Sequence, residues 1–216
     1  YDLYNFKKAK IFLKTCIDNG VKSIIFSSTA SVYGEGSGKK YTENSFKKPS
    51  NPYAKSKLKL ENFLIKNSNK KKIKYIILRY FNVAGADSKM RTGLIDKKSS
   101  HLIKVACEVA TKKKKKLIVN GNDYNTKDGT TIRDFIHVQD LAHLHILSLK
   151  YLQKFKKSEI FNCGYGKGYS VLEVIRTMNQ ILSKKIPVTF GKRRQGDLTS
   201  VIADVSKIRK KIRWRP

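Results

Sequence analysis

A tyrosine and a lysine four residues apart are the clearest candidates for chemistry in this sequence. They are Tyr53 and Lys57, in the stretch NPYAKSK, and side chains at this spacing lie on one face of a helix. An ammonium group beside a phenol favours the phenolate and so lowers the pKa of the tyrosine. A phenolate held in this way can remove the hydroxyl proton of an alcohol while a hydride leaves the carbon that bears the hydroxyl.

Hydroxyl side chains upstream strengthen this interpretation. Ser27, Ser28 and Thr29 end an apolar, β-rich run, and a hydroxyl at a strand end can bridge the phenol to a substrate alcohol. A tyrosine and a lysine at this spacing are common on surface helices and alone indicate little. Together with a strand that ends in Ser-Ser-Thr, they predict a proton-transfer site.

The elements that must position these residues alternate between short apolar runs and helix-length segments. The predicted strands are residues 23–28, 73–80, 117–119, 134–138, 160–162 and 188–190. The predicted helices are residues 5–18, 52–66, 101–112, 138–152 and 171–182, followed by a short basic helix near the end. Near-continuous apolar strands alternating with helices are typical of parallel sheets that are covered on both faces. The sequence therefore predicts an α/β fold, a Rossmann-like doubly wound parallel sheet with a smaller α/β substrate-binding domain.

Several longer motifs carry a resemblance to a known family. They read FSSTASVYGEG, NPYAKSKLKLE, LRYFNVAGAD, GNDYNTKDGTTIRDFIHVQDLAHLH, FNCGYGKGYSVLEVI and RRQGDLTSVIAD. With these motifs the chain resembles the extended short-chain dehydrogenase/reductase family and, within it, the UDP-glucose 4-epimerases. The resemblance implies NAD-dependent interconversion of UDP-glucose and UDP-galactose through a 4-keto intermediate, and therefore an isomerase.

The resemblance also implies roles for individual residues. Tyr53 matches the catalytic acid/base, Lys57 the residue that holds the nicotinamide ribose, and Thr29 the hydroxyl that binds the sugar 4-hydroxyl. Asn5 and Phe81 match positions that line the NAD site. The positions that match the nucleotide-sugar site are Asn82, Ile118, Val119, Asn120, Arg133, Arg194 and Asp197. Val201 stands where the family sometimes has a larger aromatic residue, which would leave room for N-acetylated UDP-hexosamines.

The start of the chain bears on domain organisation. In a dinucleotide-binding fold the phosphate-binding glycines follow the first strand, and nothing before Gly20 fits that turn. We therefore expect an internal piece of a longer enzyme that is inactive by itself. The resemblance further implies a homodimer at full length. The expected domains are the later half of an NAD-binding domain at residues 1–85, to which residues 133–152 return, and a mainly substrate-binding domain at residues 86–216.

The charge suggests a different class of protein. The chain has 216 residues, with 47 Lys+Arg, 16 Asp+Glu and a formal net charge of +31, as in many nucleic-acid-binding proteins. However, 38 of the basic residues are lysines, and the runs at residues 70–72 and 112–116 are typical of solvated turns or helix ends. We therefore expect no nucleic-acid partner. The alternatives are another nucleotide-sugar epimerase or dehydratase, including a UDP-N-acetylhexosamine 4-epimerase, and a nonenzymatic basic Rossmann-like binding protein.

Other features exclude further classes of site. Cys16, Cys107 and Cys163 are too far apart to indicate a disulfide framework or a zinc site, and no apolar run is long enough for a membrane span. We therefore expect a cytoplasmic protein with no membrane partner and no metal. His143 and His145 should point to different helix faces, and His137 should lie beside the sheet. The glycine-rich stretch of residues 164–170 lacks phosphate-loop spacing and predicts a strand-to-helix loop.

Overall fold

The computed structural model describes residues 2–34, 40–71 and 73–216. The end of the FSSTASVYGEG motif and the last lysine of the run at residues 70–72 lie outside the described residues. The strands are β1 (Ser23–Thr29), β2 (Lys74–Tyr80), β3 (Asn82–Ala84), β4 (Leu117–Asn120), β5 (Ile132–His137), β6 (Glu159–Cys163), β7 (Gly168–Ser170), β8 (Val188–Gly191) and β9 (Ser200–Val201). The helices are α1 (Ala9–Asp18), α2 (Pro52–Lys71), α3 (Leu102–Ala110), α4 (Val138–Phe155), α5 (Val171–Leu182) and α6 (Ser206–Ile212); a π-helical stretch, Asp2–Lys8, precedes α1.

The main sheet is parallel, with strand order β1-β2-β6. Its register pairs Thr29 with Tyr80 and Tyr80 with Cys163, so the carboxyl ends of the three strands meet at one edge. Its centre, β2, is buried on both faces because helices cover it from two sides, which explains the continuous apolar run in its sequence. This arrangement confirms the predicted α/β fold with a parallel sheet.

Two hydrophobic clusters lie on the main sheet. In one, α1 and α2 cover β1 with residues that include Leu13, Ile24 and Leu64. In the other, α4 packs Leu144 near Leu78 of β2 and Phe161 of β6, and α6 contacts β6. The chain thus returns to the main sheet through α4, β6 and α6, whereas the sequence predicted a return at residues 133–152. The division of the chain into two domains remains a prediction.

The remaining strands form two smaller sheets. Strand β5 pairs with β3 and β9 in parallel and with β7 antiparallel. Strand β4 pairs with β8 in parallel, and α3 and α5 pack with this pair in a third hydrophobic cluster. Sequence reasoning missed β3, β7 and β9, since strands of two or three residues are too short to show a periodic apolar pattern.

Candidate functional site

Two cavities adjoin the carboxyl edge of the main sheet. The smaller has a volume of about 190 Å³, and Thr29, Tyr80 and Phe81 are in its wall. The larger, about 1340 Å³, is bounded by residues of β3, β4, β5 and α3. Asn82, Arg133 and Asp197 line both cavities. The two cavities therefore meet at the end of β2, where a ligand with two chemically different parts can lie across them.

The first two turns of α2 carry Tyr53 and Lys57. The helix begins at Pro52, whose fixed backbone angle suits this position, and the Asn51 side chain accepts a hydrogen bond from the Ala54 amide at 2.8 Å. The ammonium of Lys57 donates to the Ser27 carbonyl of β1 at 3.0 Å and lies 5.8 Å from the centre of the Tyr53 ring. The fold therefore brings the two predicted side chains together near Ser27 of β1, although neither is among the residues that line the two cavities.

The surroundings of Lys57 also affect its charge. Its side chain is half-buried between α2 and β1, and burial lowers the pKa of its ammonium. The same ammonium lies 5.1 Å from the centre of the Phe26 ring. A half-buried cation beside a phenol stabilises the negative charge of a phenolate more than an exposed cation does, because less water screens the interaction.

Thr29 ends β1 and lines the smaller cavity. Its hydroxyl oxygen accepts a hydrogen bond from the backbone amide of Ser31 at 3.2 Å, and its hydroxyl donates to the Ser31 hydroxyl at the same distance. Ser28 instead turns to the opposite face, where its hydroxyl donates to Glu61 of α2 at 2.5 Å. Of the two residues, only Thr29 presents its side chain to a cavity.

A buried ion pair fixes α2 against the sheet. Glu61, on α2, receives hydrogen bonds from Arg79 of β2 at 3.0 and 2.7 Å, and both side chains are 1% exposed. Burial by itself would lower the pKa of Arg79, but its hydrogen bonds and charge interactions with Glu61 and Tyr33 together outweigh this effect and raise the pKa. Arg79 also donates to the Tyr33 hydroxyl at 3.0 Å. This pair sets the position of the helix that carries Tyr53 and was not predicted from the sequence.

The predicted nucleotide-sugar residues come together around the larger cavity. All seven line it: Asn82, Ile118, Val119, Asn120, Arg133, Arg194 and Asp197. Arg133 forms an ion pair with Asp197 and donates to the Ile132 carbonyl at 2.8 Å. With its amide oxygen turned towards Arg194, Asn120 accepts hydrogen bonds from that guanidinium at 3.2 and 3.1 Å. Two guanidinium groups are therefore held at the cavity wall, the arrangement that suits a diphosphate.

The two remaining predicted cofactor residues lie apart. Phe81 is 6% exposed in the wall of the smaller cavity, and its backbone amide donates to the Cys163 carbonyl at 3.0 Å. Asn5 is half-buried in the π-helical stretch, which packs on α2. It is outside the linings of both cavities. The structure therefore places Phe81 in the same cavity wall as Thr29 and places Asn5 outside both linings.

Sequence reasoning missed the first residues of α3 as part of the site. His101, Leu102 and Ile103 line the larger cavity, and the His101 side chain makes no capping hydrogen bond there. Backbone amides at a helix N-terminus attract phosphate groups. The pair Ser99-Ser100 just before an apolar run was the available signal for a helix start.

The glycine-rich stretch of residues 164–170 is a strand-to-helix connection, as predicted, with the short strand β7 at its end. The buried carboxylate of Asp134 accepts hydrogen bonds from the amides of Tyr165, Gly166 and Ala203 at 2.8, 2.8 and 3.1 Å. A protein carboxylate thus takes the position that a phosphate would need. A side chain on Gly164 would place its Cβ 2.6 Å from Asp134 Oδ2, so only glycine fits.

Cys163 and the histidines named in the sequence analysis lie outside the linings of the two cavities. Cys163 is fully buried, and burial raises the pKa of its thiol. His137 caps the start of α4 by accepting from the Gln139 amide at 3.2 Å. His143 is exposed, whereas His145 is half-buried. No group of three or more His, Cys, Asp or Glu within the described ranges is placed to hold a metal ion. None of the described helices is long and apolar enough to cross a bilayer.

Comparison with known proteins identifies the family. Residues 4–164 match the NAD dependent epimerase/dehydratase family. The chain is 43% identical over 204 residues to the UDP-glucose 4-epimerase of Azospirillum brasilense, a match that covers 94% of this chain and 59% of the relative. The chain thus spans about three fifths of the length of that relative.

Solved structures agree in fold. The structure of the Stenotrophomonas maltophila UDP-glucose 4-epimerase with bound NAD and formylated UDP-arabinopyranose superposes with a TM-score of 0.95 at 33% identity, over 100% of this chain and 65% of that one. The UDP-Glc/GlcNAc 4-epimerase of Campylobacter jejuni is 44% identical with a TM-score of 0.81, over 100% of this chain and 66% of that one. With this fold and a family match across most of its length, the chain belongs to the NAD dependent epimerase/dehydratase family.

Proposed function

We propose that the whole protein interconverts UDP-glucose and UDP-galactose with bound NAD, by oxidation and reduction at sugar C4 through a 4-keto intermediate. The observation that carries this proposal is the meeting of two sites. Lys57 donates to the Ser27 carbonyl, two residues before Thr29, and lies 5.8 Å from the centre of the Tyr53 ring. The cavity beside Thr29 adjoins a larger one walled by Arg133 and Arg194. The relatives named UDP-glucose 4-epimerase support the same assignment.

The residues at the end of β1 fit NAD. An ammonium has three N–H donors, and of these the described contacts of Lys57 use one, to the Ser27 carbonyl. The others are available to ribose hydroxyls, and Phe81 offers an apolar wall nearby. We propose Lys57, Tyr53, Phe81 and Asn5 as the residues of this chain that hold the cofactor. When bound, NAD accepts a hydride from carbon and later returns it.

The side chains of the chain would divide the remaining work. Tyr53, as phenolate, takes the proton of the sugar 4-hydroxyl and later gives it back. Thr29 binds that hydroxyl and sets its distance from Tyr53. Arg133 and Arg194 hold the diphosphate in the larger cavity while the sugar rotates in the smaller one. Either face of C4 can then be presented to the cofactor. Charge-assisted hydrogen bonds of this kind are strong enough to retain the nucleotide throughout.

Tyr53→Phe in the natural full-length protein tests the proposal. We expect kcat to fall by about 10²–10⁴-fold, the usual contribution of a general acid/base, with UDP binding by calorimetry unchanged. Tyr75→Phe is a matched control, since Tyr75 is a half-buried tyrosine near the start of β2, where it pairs with Ile24 at the end of the sheet opposite to the proposed site. Near-native turnover by Tyr53→Phe would remove Tyr53 from this role.

A second candidate substrate class is the N-acetylated UDP-hexosamines. Val201 lines the smaller cavity together with Thr29, and a valine leaves more room for a 2-acetamido group than an aromatic residue does. The Campylobacter jejuni relative is named a UDP-Glc/GlcNAc 4-epimerase. Turnover of UDP-N-acetylglucosamine and UDP-glucose side by side decides between the two substrate classes.

The family resemblance also supports two finer proposals, a homodimer and a cytoplasmic location.

Dehydration of the sugar is distinguished from epimerisation by product analysis, since only epimerisation keeps the mass of the substrate. The nonenzymatic alternative predicts tight nucleic-acid binding that weakens steeply with salt, whereas we expect no such binding.

A further inference from the structure

A chain of hydrogen bonds runs from α4 to the end of β1 behind the proposed proton-transfer site. The Tyr80 hydroxyl lies 2.6 Å from Ser27 Oγ and 2.6 Å from His145 Nε2. The other ring nitrogen of His145, Nδ1, lies 2.8 Å from the Leu141 carbonyl oxygen, one helical turn earlier. The Tyr80 and His145 rings meet edge to face, with their centres 5.7 Å apart.

The partners of His145 determine where its proton sits. A carbonyl oxygen can only accept, so the contact with Leu141 requires a proton on Nδ1. Nε2 is then the ring nitrogen that faces the Tyr80 hydroxyl, at 2.6 Å. The Tyr80 hydroxyl in turn donates to Ser27 Oγ. Burial raises the pKa of Tyr80 to about 12, which keeps its hydroxyl protonated at neutral pH.

Ser27 links this chain to the reacting residues. Its side chain contacts Tyr80, and its backbone carbonyl accepts the hydrogen bond from Lys57 at 3.0 Å. Thr29, two residues further along β1, shares the wall of the smaller cavity with Tyr80. A change in how Tyr80 is held therefore reaches both Lys57 and the cavity, although His145 itself lines neither cavity.

We infer that His145 is a positioning residue for the proposed reaction: through its hydrogen bond with the Tyr80 hydroxyl it holds Tyr80 against Ser27 and so fixes the strand end that orients Lys57 and Thr29. This inference rests on the proposed epimerase function. It also separates two histidines that are two residues apart on α4, because His143 is exposed and makes no such contact.

His145→Ala in the full-length protein, with His143→Ala as the matched control, tests the inference. We expect kcat to fall about ten- to hundredfold, since small misplacements of reacting groups carry costs of this order. The KM for the UDP-sugar should not change, because the arginines of the larger cavity are untouched. His145→Gln should recover most of the lost rate, because a side-chain amide can hydrogen-bond to the Tyr80 hydroxyl where Nε2 does.

A second measurement does not depend on turnover. Long-range ¹H–¹⁵N spectra of the imidazole rings should show a proton on Nδ1 of His145, and Tyr80→Phe should change the Nε2 signal of His145 but not the His143 signals. A His145 ring without a proton on Nδ1, a His145→Ala variant as active as His143→Ala, or no recovery with His145→Gln would each overturn the inference. A wild-type protein that turns over no UDP-hexose would instead refute the proposed function, and the spectra would still report on the contact with Tyr80.

Discussion

Removal of one partner from the buried Glu61–Arg79 pair should destabilise the protein strongly. The pair joins α2 to β2, and each side chain is 1% exposed. Glu61→Leu leaves the Arg79 guanidinium buried with its charge uncompensated, and Arg79→Met does the same to the Glu61 carboxylate. In the double variant both charges are gone and apolar groups fill the space.

The expected size follows from the contacts. Loss of one partner of a buried ion pair costs about 3–5 kcal/mol, whereas replacement of both by apolar groups is often neutral. The double variant still deprives Ser28 and Tyr33 of a hydrogen-bond partner each, at a cost of about 1 kcal/mol per bond. The double variant should therefore lie between the wild type and either single variant in free energy of unfolding.

Urea denaturation of the full-length protein, followed by far-ultraviolet circular dichroism, measures these differences. Lys14→Met is the control, because it removes an exposed ion pair with Asp18 and exposed pairs contribute little. Single variants as stable as Lys14→Met would refute the reasoning. So would a double variant that loses the sum of both single effects, since the two charges would then not be coupled.

Three further predictions concern other parts of the chain. Gly164→Ala should lower the free energy of unfolding in urea by about 1–3 kcal/mol, the usual cost of overpacking, because the new Cβ would meet the Asp134 carboxylate; unchanged stability would contradict this contact. Val201→Tyr should reduce turnover of UDP-N-acetylglucosamine more than that of UDP-glucose, and an equal loss for both would show that this side chain does not select the substrate. Hydrogen bonds from Lys104 and a second lysine lower the pKa of Glu108 to about 2, from 4.5. This stabilisation is complete above pH 4.5 and is lost as the pH falls towards about 2, so Glu108→Gln should flatten the stability profile over that interval, whereas a profile identical to that of the wild type would refute it.

Much of the fold can be predicted from local sequence, because the spacing of apolar residues and the length of each segment determine whether it forms a strand or a helix. The run at residues 73–80 predicted a doubly covered strand, and β2 is buried on both faces. The predicted helix at residues 52–66 ends later, at Lys71, because polar residues continue a helix as long as nothing breaks it. The strands β3, β7 and β9 exist through pairing with β5, which is a long-range effect that no short window of sequence contains.

The candidate site likewise combines features that local sequence determines with contacts that depend on long-range packing. The spacing of Tyr53 and Lys57 by itself determined that they share a helix face, because helix geometry is local. The seven nucleotide-sugar positions were indicated by their motifs, yet only the fold shows that all of them line one cavity. The contacts of Tyr80 with His145 and of Arg79 with Glu61 span 65 and 18 residues. Such partners are chosen by the packing of helices on the sheet, and for that reason only the tertiary structure decided them.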